Sequence, residues 1–190
     1  MNNKAVLHLI NEFAPVVAFF VTAQLFSFYT ATAVLMTSTV AALIAGWLLE
    51  RRLPVLPIIS GVFVFISGFI TICYKTPDAL IVADSLYYFL MGTTILAGLF
   101  FKLNILKSIF DSTFAMYDEG WNILAARWIL IFLLAAAANE TARFTLSPEE
   151  WINFKVLKII TITAFGIYQF TLSKRYRIPE ESNTWGFRHC

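Results

Sequence analysis

Arg127 stands inside a long apolar run, in Leu124-Ala125-Ala126-Arg127-Trp128. At the centre of a membrane helix an arginine costs about 2.5–3.5 kcal/mol on insertion scales. A guanidinium there can pair with a carboxylate, hold a phosphate, or reach the headgroups along its own methylene stem. The plainest reading is the last, an interfacial arginine beside an interfacial Trp128. A buried ion pair or a phospholipid phosphate contact is the alternative.

A second group with chemical potential follows at Asn139, Glu140 and Arg143. Glu140 and Arg143 are three residues apart and can pair on one helical face. Capping and solvation of a helix end is the bland account of all three. Asp84, beside Ser85, lies near the start of another apolar run. It marks either a later helix start or, on the sharper reading, a polar contact between helices. Trp151, Asn153, Phe154, Lys155 and Lys158 open the last apolar run. A tryptophan with lysines in the first two turns is ordinary interfacial anchoring. Glu149 and Glu150 are an adjacent carboxylate pair in a polar stretch, where surface pairs commonly occur.

These groups do not assemble into a catalytic constellation. No nucleophile has a base near it, no glycine-rich loop could cradle phosphate, and neither H-x-x-x-H nor C-x-x-C occurs. Cys73 lies in an apolar run and Cys190 is the last residue, while His8 and His189 sit near opposite ends. This census argues against a zinc site and against a disulfide. No cofactor or metal is expected.

The elements that must position these residues are membrane helices. The chain has 190 residues, 59% hydrophobic and 14% charged, against roughly 45–50% and 25% in a soluble domain. Mean hydropathy is +0.73, and Phe alone supplies 19 residues. A soluble fold of this size leaves roughly a third of its extended surface in water, too much for such a composition. The net charge of +2 is small and dispersed, so nucleic acid is not an expected partner. Ala31-Thr32-Ala33 has the form of a signal cleavage site, but apolar sequence runs on to Leu49. The N-terminal stretch is therefore read as an uncleaved membrane segment.

Phe13 to Leu49 spans 37 residues without a charged side chain. As one helix it would be about 55 Å long, against a hydrocarbon core of roughly 30 Å, so it must fold back. The break is expected at Ser27-Phe28-Tyr29-Thr30. The expected segments are Phe13–Phe26, with Pro15 in its opening turn, and Thr30–Leu49, with Ala42 and Gly46 at a spacing that allows close helix approach. A charged turn, Glu50-Arg51-Arg52 with Pro54 and Pro57, leads to Val55–Tyr74, and Lys75-Thr76-Pro77-Asp78 turns the chain into Ala79–Phe101. The connection from Lys102 to Gly120 carries Leu103, Leu106, Ile109 and Phe110 at helical spacing, which suggests an amphipathic surface helix. Trp121–Ala138 follows, then an expected polar loop from Asn139 to Glu150. In that loop Ser147, Pro148 and Glu150 have the pattern of a helix start for Trp151–Leu172. Residues from Pro179 onward are polar and expected to fray. No internal repeat is evident.

The expected architecture is thus an all-α, polytopic helical membrane protein with five to six transmembrane helices. It divides into a transmembrane domain over residues 1–178 and a polar cytoplasmic tail over 179–190. The first segment is the one whose crossing is least determined. With the C-terminus in the cytoplasm, Lys4, Arg51, Arg52, Lys102, Lys107, Lys174, Arg175, Arg177 and Arg188 lie inside, against at most Lys75, Arg143, Lys155 and Lys158 outside. That asymmetry satisfies the positive-inside rule.

Trp151-Ile152-Asn153-Phe154-Lys155-Val156 resembles the W-V-N-F-K-V signature of the intracellular septation protein A family, small inner-membrane proteins of Gram-negative bacteria. Gly120-Trp121, leading through Leu124 and Trp128 to Phe132 and Asn139-Glu140, is similar to the family's fifth helix. Glu12-Phe13-Ala14-Pro15 and Tyr29-Thr30-Ala31-Thr32-Ala33 extend the likeness over nearly the whole chain. One departure is Ala83-Asp84, where the family usually has a lysine followed by a small residue or proline, so no role of that lysine carries over. The resemblance implies a non-enzymatic role in cell-envelope biogenesis, septation and membrane integrity, through contacts with other envelope and division proteins. Membrane lipids and a homo-oligomeric partner are the other expected contacts. A small transporter or channel is the alternative. The residues expected to matter for interaction or structure are Arg127, Asn139, Glu140, Trp151, Asn153, Phe154 and Lys155.

Overall fold

Two lysines in the left-handed region, Lys75 (φ 49°) and Lys102 (φ 58°), end two of the long helices. Such a residue just past a helix turns the chain away and closes the last turn's carbonyls. The computed structural model describes residues 3–50 and 55–188, with side chains for 13–48 and 58–188. Its helices are α1 Asn3–Leu25, α2 Phe28–Glu50, α3 Val55–Tyr74, α4 Asp78–Phe100, α5 Ile105–Phe110, α6 Asp118–Thr145, α7 Pro148–Tyr168 and α8 Phe170–Arg175. Among the described residues no strand forms, only isolated bridges. The all-α expectation holds. The Arg51-Arg52 turn with Pro54, along with His189 and Cys190, lies outside the described residues.

Among the described residues four spans are long and apolar enough to cross a bilayer: Phe28–Leu48, Asp78–Phe100, Asp118–Thr145 and Pro148–Arg175. Shorter apolar stretches, Phe13–Leu25 and Ile58–Tyr74, lie within α1 and α3, which as whole helices have 23 and 20 residues. About 20 residues suffice to cross. Val17 is 57% exposed, Leu25 70%, Ile66 58% and Leu157 62%. Apolar residues bared on helix after helix need lipid around them.

The breaks at Ser27 and at Lys75–Pro77 fall where expected. So does the start of α7, where Glu150 N donates to Ser147 Oγ (3.3 Å) and Ser147 N donates to the Glu150 carboxylate (2.9 Å). This is a reciprocal capping box with Pro148 as the first helical residue.

Four expectations need correction. Pro15 is interior to α1, not in an opening turn. Proline is tolerated inside membrane helices, where other groups can satisfy the freed carbonyl. The Asn139–Glu150 loop does not exist as such, because α6 continues to Thr145. Polar residues there remain helical because they find partners on other helices. The Lys102–Gly120 connection forms only the six-residue α5, capped by Asn104 Oδ1 accepting from Lys107 N at 3.0 Å. The tail beyond Pro179 is ordered rather than frayed over its described residues.

By compactness the chain forms two units, Met1–Tyr87 with Asn139–Val156, and Tyr88–Ala138 with Leu157–Cys190. In the first, Phe19, Phe28, Ala31, Leu35, Leu80, Ile81, Ala142, Trp151 and Ile152 form the core. Gly68 lets α3 approach α2 closely, since a Cβ there would lie 2.7 Å from Met36 Sδ. Tyr29 donates its hydroxyl to the Lys75 carbonyl at 2.8 Å, tying the α1–α2 turn to the α3–α4 turn.

In the second unit Ile95, Leu106, Met116, Trp121 and Ala125 form the core. Here the tail packs on the connection before α6. Ala115 N donates to Gly186 O, Ile178 N to Ala115 O and Arg188 N to Thr113 O, at 2.9–3.0 Å. Phe114 and Phe187 stack with centroids 4.8 Å apart. Gly186, at φ +83°, allows the turn that brings Ser173 Oγ to donate to Trp185 O at 2.7 Å. Lys107 pairs with Asp118. That hydrogen bond, above all, holds its ammonium above the ordinary 10.5. The pair's contribution is therefore complete at neutral pH and is lost only as pH rises through the raised value.

Candidate functional site

Asn139 is fully buried near the C-terminal end of α6, where an unpartnered amide would be costly. Its side chain is instead engaged by two other helices. Nδ2 donates to Ile81 O at 3.0 Å and to Ser85 Oγ at 2.9 Å, both on α4. Its Oδ1 accepts from Trp151 Nε1 of α7 at 3.0 Å. Trp151 is itself 0% exposed and lies against Phe28 of α2, with ring centroids 6.2 Å apart. One amide thus joins α4, α6 and α7 at a point sealed by α2.

Glu140, the next residue, accepts from Ser85 Oγ at 3.0 Å and from Arg143 Nε at 2.7 Å. Ser85 therefore links Asn139 to Glu140, and the Glu140–Arg143 pairing expected on one face is present.

Lys155 does more than anchor. Its Nζ donates to Asp84 Oδ1 at 2.6 Å, with both side chains only 13% exposed. The ammonium also lies 4.9 Å from the Trp151 ring centroid. Asp84 sits six residues into α4 and Lys155 seven into α7, each about 10 Å from its helix start. Asp84 is therefore not a late helix start but an interhelical contact. Nearby, Gln24 Nε2 of α1 donates to Asn153 Oδ1 at 3.1 Å, and Phe154 packs partly buried against the core.

Asn139, Glu140, Trp151, Asn153, Phe154 and Lys155 thus all lie in the first unit, beside Asp84, Ser85 and Gln24. Sequence reading named Ser85 only as the neighbour of Asp84 and left Gln24 out. Their only signal was a polar side chain close to the end of an apolar run.

Arg127 stands apart, in the second unit. Its Nη1 donates to Gln169 Oε1 at 3.1 Å, and its guanidinium carbon lies 5.8 Å from the Tyr168 ring centroid. Among the described residues its hydrogen-bond partner is thus a neutral amide rather than a carboxylate. Gln169 is 7% exposed, and it also donates to Phe165 O at 3.0 Å. Lys158, expected at the interface, is 6% exposed and lies 4.7 Å from the Tyr88 ring centroid.

Chemically this is joinery. The Asp84 and Glu140 carboxylates and the Asn139 amide each hold partners from a neighbouring turn or helix. Among the described residues no group of three His, Cys, Asp or Glu side chains could hold a metal ion.

The sequence model of the family described as intracellular septation protein A matches residues 7–179. A protein of Mesorhizobium japonicum named inner membrane-spanning protein YciB is 37% identical over 82% of this chain and 70% of its own length. Proteins of the same name from Brucella melitensis and Brucella suis are 35% identical over 82% of this chain, covering 71% and 78% of their own lengths. No solved structure matches the chain.

Proposed function

The chain belongs to the intracellular septation protein A family, and from that premise we propose a non-enzymatic, multi-pass protein of the bacterial inner membrane. It supports cell-envelope biogenesis, septation and membrane integrity by contacts with other envelope and division proteins. The observation that carries this reading is the Asn139 junction. Among the described residues, the polar side chains of the first unit with most chemical potential are spent on joining α4, α6 and α7.

Orientation follows from charge. Lys102, Lys107, Lys174, Arg175, Arg177 and Arg188 flank the connection before α6 and the tail that packs on it. The turns at Ser27, Thr76 and Ser147 carry Lys75 and Arg143 nearby, and Lys155 is engaged with Asp84. The positive-inside rule puts the connection and the C-terminus in the cytoplasm.

Crosslinking in native membranes, with mass-spectrometric identification of neighbours, tests the role. Enrichment of identified envelope or division proteins over membrane proteins of equal abundance is expected. Recovery of bulk neighbours alone would remove the basis for a contact-driven role. A second reading, a small transporter or channel, is favoured by the Asp84–Lys155 pair, since ionisable groups inside membrane helices often mark pathways. Solute flux in reconstituted vesicles that vanished in Arg127→Gln or Glu140→Gln would promote it.

A further inference from the structure

We propose that Arg127 and Gln169 hold the phosphate of one glycerophospholipid, whose acyl chains lie along the exposed stripe of α6. The inference goes beyond the septation role and rests only on the helices being in lipid.

Charge is the first observation. A guanidinium carries five N–H donors, and Arg127 uses one hydrogen bond, to a neutral amide oxygen. Among the described residues it has no carboxylate partner. Its positive charge is therefore uncompensated by the protein, in a segment whose surroundings are hydrocarbon. The contrast with Lys155, which has Asp84 at 2.6 Å, is direct.

Depth is the second. α6 has 28 residues and is about 42 Å long, so it extends about 6 Å beyond a 30 Å hydrocarbon core at each end if centred. Arg127 is nine residues in, about 13 Å from the start, which puts its Cα about 7 Å below the boundary. Helical side chains lean toward the N-terminus, here the nearer surface, and an arginine spans that distance. The guanidinium therefore reaches the level of lipid phosphates but not free water. Gln169 is six residues from the end of the α7–α8 span at Arg175, about 9 Å. The hydrogen bond between them brings its amide to the level of the guanidinium.

Shape is the third. On α6 Leu130 and Leu134, one and two turns beyond Arg127 on its own face, are exposed. An apolar stripe running away from a cation matches the layout of a phospholipid: anionic head, apolar tail. The planar fork of arginine suits bidentate phosphate recognition better than an ammonium does.

Native mass spectrometry of the full chain released from mild detergent tests this directly, with phosphatidylglycerol added as the defined lipid. The parent is expected to retain one phospholipid per chain. Arg127→Gln should reduce retention at least tenfold, and Arg127→Lys, which keeps the charge without the fork, several-fold. Leu130→Ser with Leu134→Ser, which spares the arginine, should also weaken retention, so the idea remains testable if Arg127→Gln fails to fold. Excess inorganic phosphate should not displace the lipid. Equal retention by the parent and Arg127→Lys together with the serine pair, displacement by free phosphate, or equal retention of diacylglycerol would overturn the proposal.

Discussion

Replacing Asp84 by Asn, Lys155 by Met, and then both by apolar residues separates a structural ion pair from a surface one. The two side chains are 13% exposed and 2.6 Å apart, so neither ion can be rehydrated if its partner is lost. Removing one member of such a pair costs about 3–5 kcal/mol, chiefly because the other charge is left buried. Asp84→Asn should fall at the lower end, since Lys155 keeps the Trp151 ring face at 4.9 Å, a contact of about 0.5–2 kcal/mol. Lys155→Met should fall at the upper end. The double variant Asp84→Leu with Lys155→Met leaves neither member of this pair without the other and should be less destabilised than either single one. The assay is reversible unfolding of micelle-bound protein by sodium dodecyl sulfate, followed by circular dichroism. Single variants that cost under about 1 kcal/mol each and simply add would be behaving as exposed pairs do, and the burial argument would fail.

Other substitutions probe the remaining contacts. Asn139→Leu strips the acceptor from Trp151 Nε1 and the donor from Ser85 Oγ and should cost about 2–3 kcal/mol in the same assay, since the buried Trp151 N–H is left unsatisfied; a neutral result would deny the junction. Gly68→Val should force Met36 aside, costing about 1–3 kcal/mol by overpacking, and intact stability would show that α3 can move off α2. Truncation after Ile178 should lose about 1 kcal/mol for each tail hydrogen bond removed and make the 111–117 segment protease-sensitive. Unchanged digestion would mean that the tail is not seated there.

What could be read without coordinates was whatever local chemistry dictates. Ser147, Pro148 and Glu150 announce a helix start in four residues, and the length of the Phe13–Leu49 run forces a break that falls at Ser27. The missed features depend on partners distant in sequence. Asn139 looks like a loop residue until Ile81, 58 positions away, accepts its amide. Asp84 looks like a helix start until Lys155, 71 positions on, meets it. The tail is polar in composition, yet Phe187 finds Phe114 and Arg188 finds Asp111 through pairings with no periodic signature. Candidate residues could thus be picked by type, but their grouping into one junction, and the separation of Arg127 from it, could not.

Paired reporters, one active only in the cytoplasm and one only outside it, inserted after Thr76, after Ser112 and after Cys190 test the membrane architecture most directly. The expected pattern is Thr76 outside with Ser112 and Cys190 inside, because α4 crosses once and the tail shares a side with the connection it packs on. Thr76 and Ser112 on one side, or Cys190 opposite Ser112, would contradict it.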